Sequence, residues 1–413
     1  MRVALIDPSL FTLPYDRMLA LGLQQAGHDV VLHARALEPR EGGAEGVTLA
    51  ADFYRATGAG RTAWLPRPLR LALKGADHVL CMAALLARLR RERPDVIHFQ
   101  WLPLPVVDRH FLPAFARLAP LVLTAHDSKP FNGDPAARLQ GLGAKDCFGL
   151  FDRLIVHTER FRERLLSAGV PAERVVRIPH GLLGGGGDGA RERPPPPPPK
   201  EAGTPRPLTF VLFGQIKPYK GVDVLIEAFA RLPQQLRAEA RLRVVGRPFM
   251  DLDPLLDLAR KRGVAPQLSL EPRFVPDDEI PTLFGPDSIA VFPYREIEAS
   301  GVLTLAVAHG RPVIASRIGA FAEELADGVH GALVPPDDPA ALTAAMEAML
   351  ADPEWLVRCA ANVRALSGAV PSWREIGERT AAVYAAALED RRPGGRGSAA
   401  APAATAAGHP AGA

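Results

Sequence analysis

Between Leu182 and Pro207 the chain reads LLGGGGDGARERPPPPPPKEAGTPRP, a stretch through which no compact core can be built. A run of four glycines, Gly184 to Gly187, makes it flexible, and the run of six prolines Pro194 to Pro199 stiffens part of it into a polyproline II rod. Residues 182–207 are therefore predicted to be a linker. It divides the chain into two halves, 1–181 and 208–371, each the size of an ordinary domain. A second biased stretch, 391–413, is rich in Ala, Gly and Pro and lacks apolar periodicity, so a disordered tail is expected there.

Both halves repeat one pattern. Short apolar runs at 3–6, 29–33, 95–99, 121–124, 154–157 and 175–178 read as strands, with a helix at 16–26 closed by Gly27. After the linker come strands at 209–213, 241–245, 268–270, 289–292 and 313–315. Helices are predicted between them near 222–231, 253–262, 278–284 and 301–309. Apolar runs joined by helices bury both faces of a parallel sheet, so the fold class is α/β, with two Rossmann-like doubly wound domains facing across a cleft. Ligands of such sheets bind beyond the carboxyl ends of the strands. Within 372–390, Trp373, Ile376, Thr380, Val383, Tyr384 and Leu388 make an amphipathic helix. It is open to packing on the second domain or crossing back to the first.

Composition removes several classes of function. A net charge of +3 over 413 residues gives no basis for nucleic-acid binding. The three cysteines, Cys81, Cys147 and Cys359, are widely spaced and show no metal-ligand pattern, which suits a reducing compartment. The first apolar run stops at Asp7-Pro8, too early for an export signal. No stretch reaches the ~18 apolar residues of a membrane span, so a cytoplasmic protein is expected. A dehydrogenase or epimerase should carry a glycine fingerprint after its first strand, whereas residues 7–12 contain no glycine. A phosphorylase needs a Schiff-base lysine, and no sequence context marks one. Asp251-Leu252-Asp253 precedes Pro254 and a predicted helix, where acidic residues cap the helix and favour its dipole rather than hold a metal.

Two stretches of the second half carry chemistry. Gly214-Gln215-Ile216-Lys217-Pro218-Tyr219-Lys220-Gly221 follows a strand and opens a helix. A glycine lets a ligand approach the backbone, helix-start amides attract anions, and Lys217 and Lys220 add two cations, as a diphosphate requires. Further on, Ser300 is a good N-cap, and Gly301 and Val302 leave the first helical amides open to an oxyanion. Each alone also reads as an ordinary turn or capped helix. Two such mouths in one domain favour a phosphate-bearing ligand.

These residues resemble the GT-B, family-four glycosyltransferases, and the likeness runs from Met1 to Leu388, linker apart. Further matching segments are Arg311-Pro312-Val313-Ile314-Ala315-Ser316 after Gly310, and Asp327-Gly328-Val329-His330-Gly331. In the first half they are Arg93-Pro94-Asp95-Val96-Ile97-His98, Thr124-Ala125-His126-Asp127 and Ile178-Pro179-His180-Gly181. The resemblance implies a metal-independent hexosyltransferase that retains anomeric configuration. Its substrate is a nucleoside-diphosphate sugar, with no cofactor, and its acceptor is a glycan or lipid-linked molecule of cell-surface polysaccharide synthesis. By the same resemblance, Gly214, Gln215, Lys217, Lys220, Ser300, Gly301 and Val302 bind the donor. His126 lies near the transferred sugar, and Glu296 or Glu298 contacts its hydroxyls, Glu298 being the catalytic candidate. As alternatives from the residues alone, His126 caps local backbone and Asp127 caps the next turn.

The sequence departs from the family in two places. Gln215 stands where an arginine is usual, and Lys217 is expected to replace its charge. The family's two glutamates, the second of which contacts the ribose, align with Ile297 and Leu305. This keeps a second reading open, a catalytically inactive nucleotide-sugar sensor or subunit. Finally, Arg61, Arg67, Arg70, Lys74, Arg88, Arg90, Arg91 and Arg93 are interspersed with Trp64, Leu65, Leu69, Leu71 and Leu73. Such a basic amphipathic stretch suits an anionic membrane, here the inner face, and also reads as a solvated helix face.

Overall fold

The computed structural model describes residues 1–38, 41, 45–58, 60–126, 144–183 and 207–392. Asp127, nearly all of the predicted linker and nearly all of the predicted tail lie outside the described residues. Two wholly parallel sheets form the core. The first has seven strands: β1 Arg2–Asp7, β2 Asp29–Arg35, β3 Thr48–Phe53, β4 Val96–Phe99, β5 Leu121–Thr124, β6 Arg153–Val156 and β7 Val175–Arg177. Their order is β3-β2-β1-β4-β5-β6-β7. The second has six: β8 Leu208–Phe213, β9 Ala240–Val245, β10 Leu268–Glu271, β11 Ser288–Phe292, β12 Val313–Ser316 and β13 Gly331–Val334, in the order β10-β9-β8-β11-β12-β13.

The central strands are apolar because helices cover both faces of each sheet. Strands β4, β5 and β11 are buried along their whole length. Strand order reverses between β1 and β4 in the first sheet and between β8 and β11 in the second. At those reversals adjacent loops leave the same sheet end in opposite directions and open a crevice.

Sequence periodicity missed β3 and β13. Both are edge strands. β3 mixes Thr and Asp with apolar residues and is mostly half-buried, and β13 is only four residues long and opens on Gly331. An edge strand is covered on fewer sides and needs less apolar surface, so its signal is weaker.

The sequence left two places open for the last helix, Trp373–Asp390. It packs on the helix Leu13–Gln25 of the first half. The crossing is close: a Cβ on Gly22 would sit 2.0 Å from the Trp373 carbonyl oxygen. Its start is held by a capping box between Ser372 and Glu375. Farther along, the Tyr384 hydroxyl meets His98 at 2.6 Å. Asp390 pairs with Arg153, and Arg391 with Asp152.

Candidate functional site

Because β8 and β11 are parallel neighbours, the loops after them must emerge side by side. Those loops are the two stretches singled out from sequence. Gly214, just after β8, has φ of 111°, a backbone open to glycine and costly for other residues. A Cβ there would lie 2.8 Å from Lys220 Nζ and 3.1 Å from Val302 Cγ2. One glycine is thus touched by the lysine of the first loop and by the helix start of the second.

The two loops are locked together by backbone and by one arginine. Gly221 has φ of 66°, and a Cβ on it would meet the Pro293 carbonyl oxygen at 2.1 Å, so only glycine permits the approach. Arg295 donates to Asp223 at 2.7 Å and to the Pro218 carbonyl at 2.8 Å, and pairs with Asp337 at 2.8 Å. Its own amide donates to the Tyr219 carbonyl at 2.7 Å. Sequence reasoning did not mark Arg295 as a site residue, because its partners lie 42 and 72 positions away.

Lys220 ends a short 3-10 turn, Pro218–Lys220, and is only 5% exposed. Its ammonium sits 4.9 Å over the Tyr294 ring. Burial, and then the neighbouring Lys217 charge, pull its pKa down to about 7. A cation stripped of water in this way gains most when an anion arrives. Lys217 lies 5.3 Å over the Phe249 ring, and Gln215 is exposed. On the other loop, Ser300 Oγ accepts from the Leu303 amide at 3.1 Å and caps the buried helix Gly301–Ala308.

This helix start also faces the first half of the chain. A Cβ on Gly301 would lie 3.1 Å from Leu183 Cδ1 and 3.9 Å from His180 Nε2. Glu298 is buried and ion-paired with Arg164 of the helix Glu159–Ser167, whereas Glu296 is half-buried. The first two amides of that helix, Glu159 and Arg160, donate to Glu323 of the second half at 2.8 Å each. Leu305 is buried in an apolar cluster, and its carbonyl accepts from His309 Nδ1 at 2.8 Å.

Opposite these loops lie the strand ends of the first sheet. His126 follows β5, with its ring stacked on Trp101 at 5.4 Å and edge-on to Tyr15 at 4.8 Å. Its Nε2 meets the Gln100 amide at 3.0 Å, and its Nδ1 meets His157 Nε2 at 3.2 Å. Burial holds its pKa well below the usual histidine range, with His157, His180 and His98 adding to the effect. Tyr15 also contacts His157 and His180, at 5.1 and 5.0 Å. A row of rings therefore runs from His126 to His180 beside Gly301. Of these, sequence singled out His126 alone as a site residue; His98 and His180 appeared only as parts of matching segments, His157 only as the end of a predicted strand, and Gln100 and Arg164 not at all. Their one available signal was position, each standing at or just after a strand end or on the helix beyond it.

Two parallel-sheet α/β domains of seven and six strands, with loops meeting at apposed strand ends, fit the GT-B class of structures. The Anabaena protein Alr3699/HepE, solved in complex with UDP and glucose, matches with a TM-score of 0.68 at 18% identity, covering 93% of this chain and 99% of that one. Residues 17–182 match the family described as Glycosyltransferase Family 4, and residues 207–352 the one described as Glycosyl transferases group 1. A D-inositol 3-phosphate glycosyltransferase of Mycolicibacterium vanbaalenii is 30% identical over 318 residues, 72% of this chain and 68% of the relative. One of the same description from Geodermatophilus obscurus is 32% identical over 291 residues, 66% of this chain and 62% of the relative. The chain belongs to the family-four, group 1 glycosyltransferases. It spans under two thirds of the length of several of these relatives, 62% and 58% in two of them.

Proposed function

We propose that the protein is a retaining, metal-independent glycosyltransferase that moves a hexose from a nucleoside-diphosphate sugar to an acceptor bound by its first half. One observation carries the reading: Lys220 Nζ and Val302 both lie against Gly214, so a single diphosphate can reach the buried ammonium and the amides of the Ser300-capped helix together. These groups would stabilise the departing diphosphate by preorganised electrostatics, the task a metal performs elsewhere. Lys217 adds a second positive charge at the rim. Glu298 and Glu296 would face the sugar from the same loop, and His126 from across the cleft. Membership of the family favours retention of configuration.

The acceptor is a glycan, or a lipid-linked molecule of cell-surface polysaccharide synthesis. The names of the relatives add an inositol phosphate to the candidates worth assaying. Placement at a cytoplasmic membrane face is favoured by the helix Arg67–Glu92. Its core-facing stripe is His78, Cys81, Met82, Leu85 and Leu89. A second apolar stripe, Leu69, Leu73 and Leu80, is exposed, as is Trp64 just before the helix, and Arg70 and Arg91 lie on the same helix. Spacings of four and seven residues align those leucines on one face. Among the described residues no helix is long and apolar enough to cross a membrane. Sedimentation with liposomes should show stronger binding to anionic than to neutral vesicles, and equal binding would remove the electrostatic part.

The buried Leu305, in place of a ribose-binding glutamate, favours a second reading, a nucleotide-sugar sensor without turnover. A thermal-shift panel of nucleoside diphosphates and their sugars, followed by a transfer assay, separates the two. Stabilisation by a donor together with its hydrolysis or transfer supports the enzyme. Stabilisation with no turnover across glycan, lipid-linked and inositol phosphate acceptors supports the sensor, and no stabilisation by any donor sinks both.

A further inference from the structure

Successive strand ends of the first sheet carry Gln100 after β4, His126 after β5, His157 after β6 and Ile178 after β7. Parallel strands put these positions in a row, and hydrogen bonds join them. His157 Nδ1 lies 3.0 Å from the Ile178 carbonyl oxygen, and His157 Nε2 lies 3.2 Å from His126 Nδ1. As placed in the structure, Gln100 Oε1 lies 3.0 Å from His126 Nε2 and Gln100 Nε2 lies 3.2 Å from His98 Nε2. His98 Nε2 also meets Thr124 Oγ1 at 2.8 Å, and His98 Nδ1 meets the Tyr384 hydroxyl at 2.6 Å.

Direction along this row follows from its end. A carbonyl oxygen only accepts, so His157 Nδ1 carries a proton. Burial keeps the rings neutral, with His157 and His98 both pushed down to about 3. His157 Nε2 is then bare, and His126 must donate to it from Nδ1. That leaves His126 Nε2 bare and in need of a donor, which is the NH2 of Gln100. A half-turn of an amide exchanges its oxygen and nitrogen without moving the side chain, so the partners determine which atom faces which ring. With the NH2 on His126, the Gln100 oxygen receives the Nε2 proton of His98, and His98 Nδ1 receives the Tyr384 hydroxyl proton. Each of these contacts then joins a donor to an acceptor. The orientation as placed, with Oε1 on His126 and Nε2 on His98, would set a bare His157 nitrogen against the Ile178 carbonyl, two buried acceptors face to face, unless an extra proton entered, so the network calls for the half-turn. Among the described residues no group of three or more His, Cys, Asp or Glu is arranged to hold a metal ion, so hydrogen bonding accounts for this cluster.

We propose that Gln100 and His157 are positioning residues that hold His126 as its Nδ1–H tautomer, making its Nε2 a hydrogen-bond acceptor for a substrate hydroxyl once the Gln100 amide yields its place. His126 is thereby excluded as a proton donor at Nε2. The consequence for turnover rests on the proposed transferase reading; the tautomer does not.

The test uses the full chain labelled with 15N-histidine, with long-range 1H–15N spectra at neutral pH and His126 assigned through His126→Ala. The expected pattern is a protonated Nδ1 and a bare Nε2 at His126, with a protonated Nδ1 at His157. A His126 ring protonated at Nε2, or at both nitrogens, would overturn the proposal. Gln100→Glu keeps the shape but offers only acceptors, so His126 should gain a proton at Nε2. In the transfer assay kcat should then fall at least ~10-fold while donor KM stays within about twofold, as for loss of a group acting on the reaction rather than on binding. An unchanged tautomer in this variant, or an unchanged kcat with the tautomer altered, would contradict it. Where Gln100→Glu fails to fold, the wild-type spectra decide. They do so whether or not transfer is detected.

Discussion

The two halves of the molecule share an architecture and treat polar groups in opposite ways. In the second half, Lys220 is buried against a tyrosine ring, and the amides at Gly301 and Val302 begin a capped helix. In that half, Lys220 and the helix-start amides gather beside Gly214, where the donor diphosphate is proposed to bind. In the first half, His98, Gln100, His126 and His157 satisfy one another inside the protein. The difference suggests a division of labour, with affinity for the donor in the second half and orientation at the sugar in the first. Glu298 is the exception: it belongs to the second half and is held by Arg164 of the first.

Substitutions test that division. The largest effect is expected from Lys220→Ala, because a charged hydrogen bond is worth ~1.5–3 kcal/mol, or roughly 10- to 150-fold in affinity. Titration calorimetry with the nucleotide sugar should show this loss, and unchanged affinity would remove Lys220 from the donor site. Next comes His126→Ala, which should lower kcat by about 10- to 100-fold, below the ceiling for a full acid or base, with donor affinity within about twofold. The reverse pattern, in which affinity falls and turnover survives, would erase the contrast between the halves.

A smaller effect follows from the Lys220 pKa of about 7. Below that pH the free protein already carries the ammonium that the diphosphate needs. Above it the lysine must take up a proton on binding, so affinity should fall as pH rises, by up to about tenfold per pH unit. Kd values measured from pH 6 to 9 should show the decline in the wild type, and a much flatter profile in Lys220→Ala. A flat wild-type profile would mean that the ammonium is not what the donor meets.

The same contrast explains what could be read from the chain alone. Central strands and the helices Val222–Arg231 and Gly301–Ala308 were legible because burial on both faces, or a cap beside a glycine, leaves a local pattern. The loops around Gly214 and Ser300 were legible for a related reason: the glycine, lysines and cap that an anion requires lie within a few residues of one another. Arg295, Arg164 and the Gln100 row were not, since each partner is supplied by a different strand end or the opposite domain. Nothing adjacent in sequence encodes Gln100 meeting His126, or Tyr384 reaching back to His98 across 286 positions. The last helix, likewise, declared its apolar face but not the domain that would cover it.

The proposed donor site depends on the meeting of two loops at one glycine, Gly214. A crystal structure of the protein with a bound nucleoside-diphosphate sugar tests this directly. It should place the diphosphate oxygens at ~2.7–3.2 Å from both Lys220 Nζ and the amides at the start of the helix Gly301–Ala308. A diphosphate held by only one of the two loops, or bound elsewhere, would contradict it.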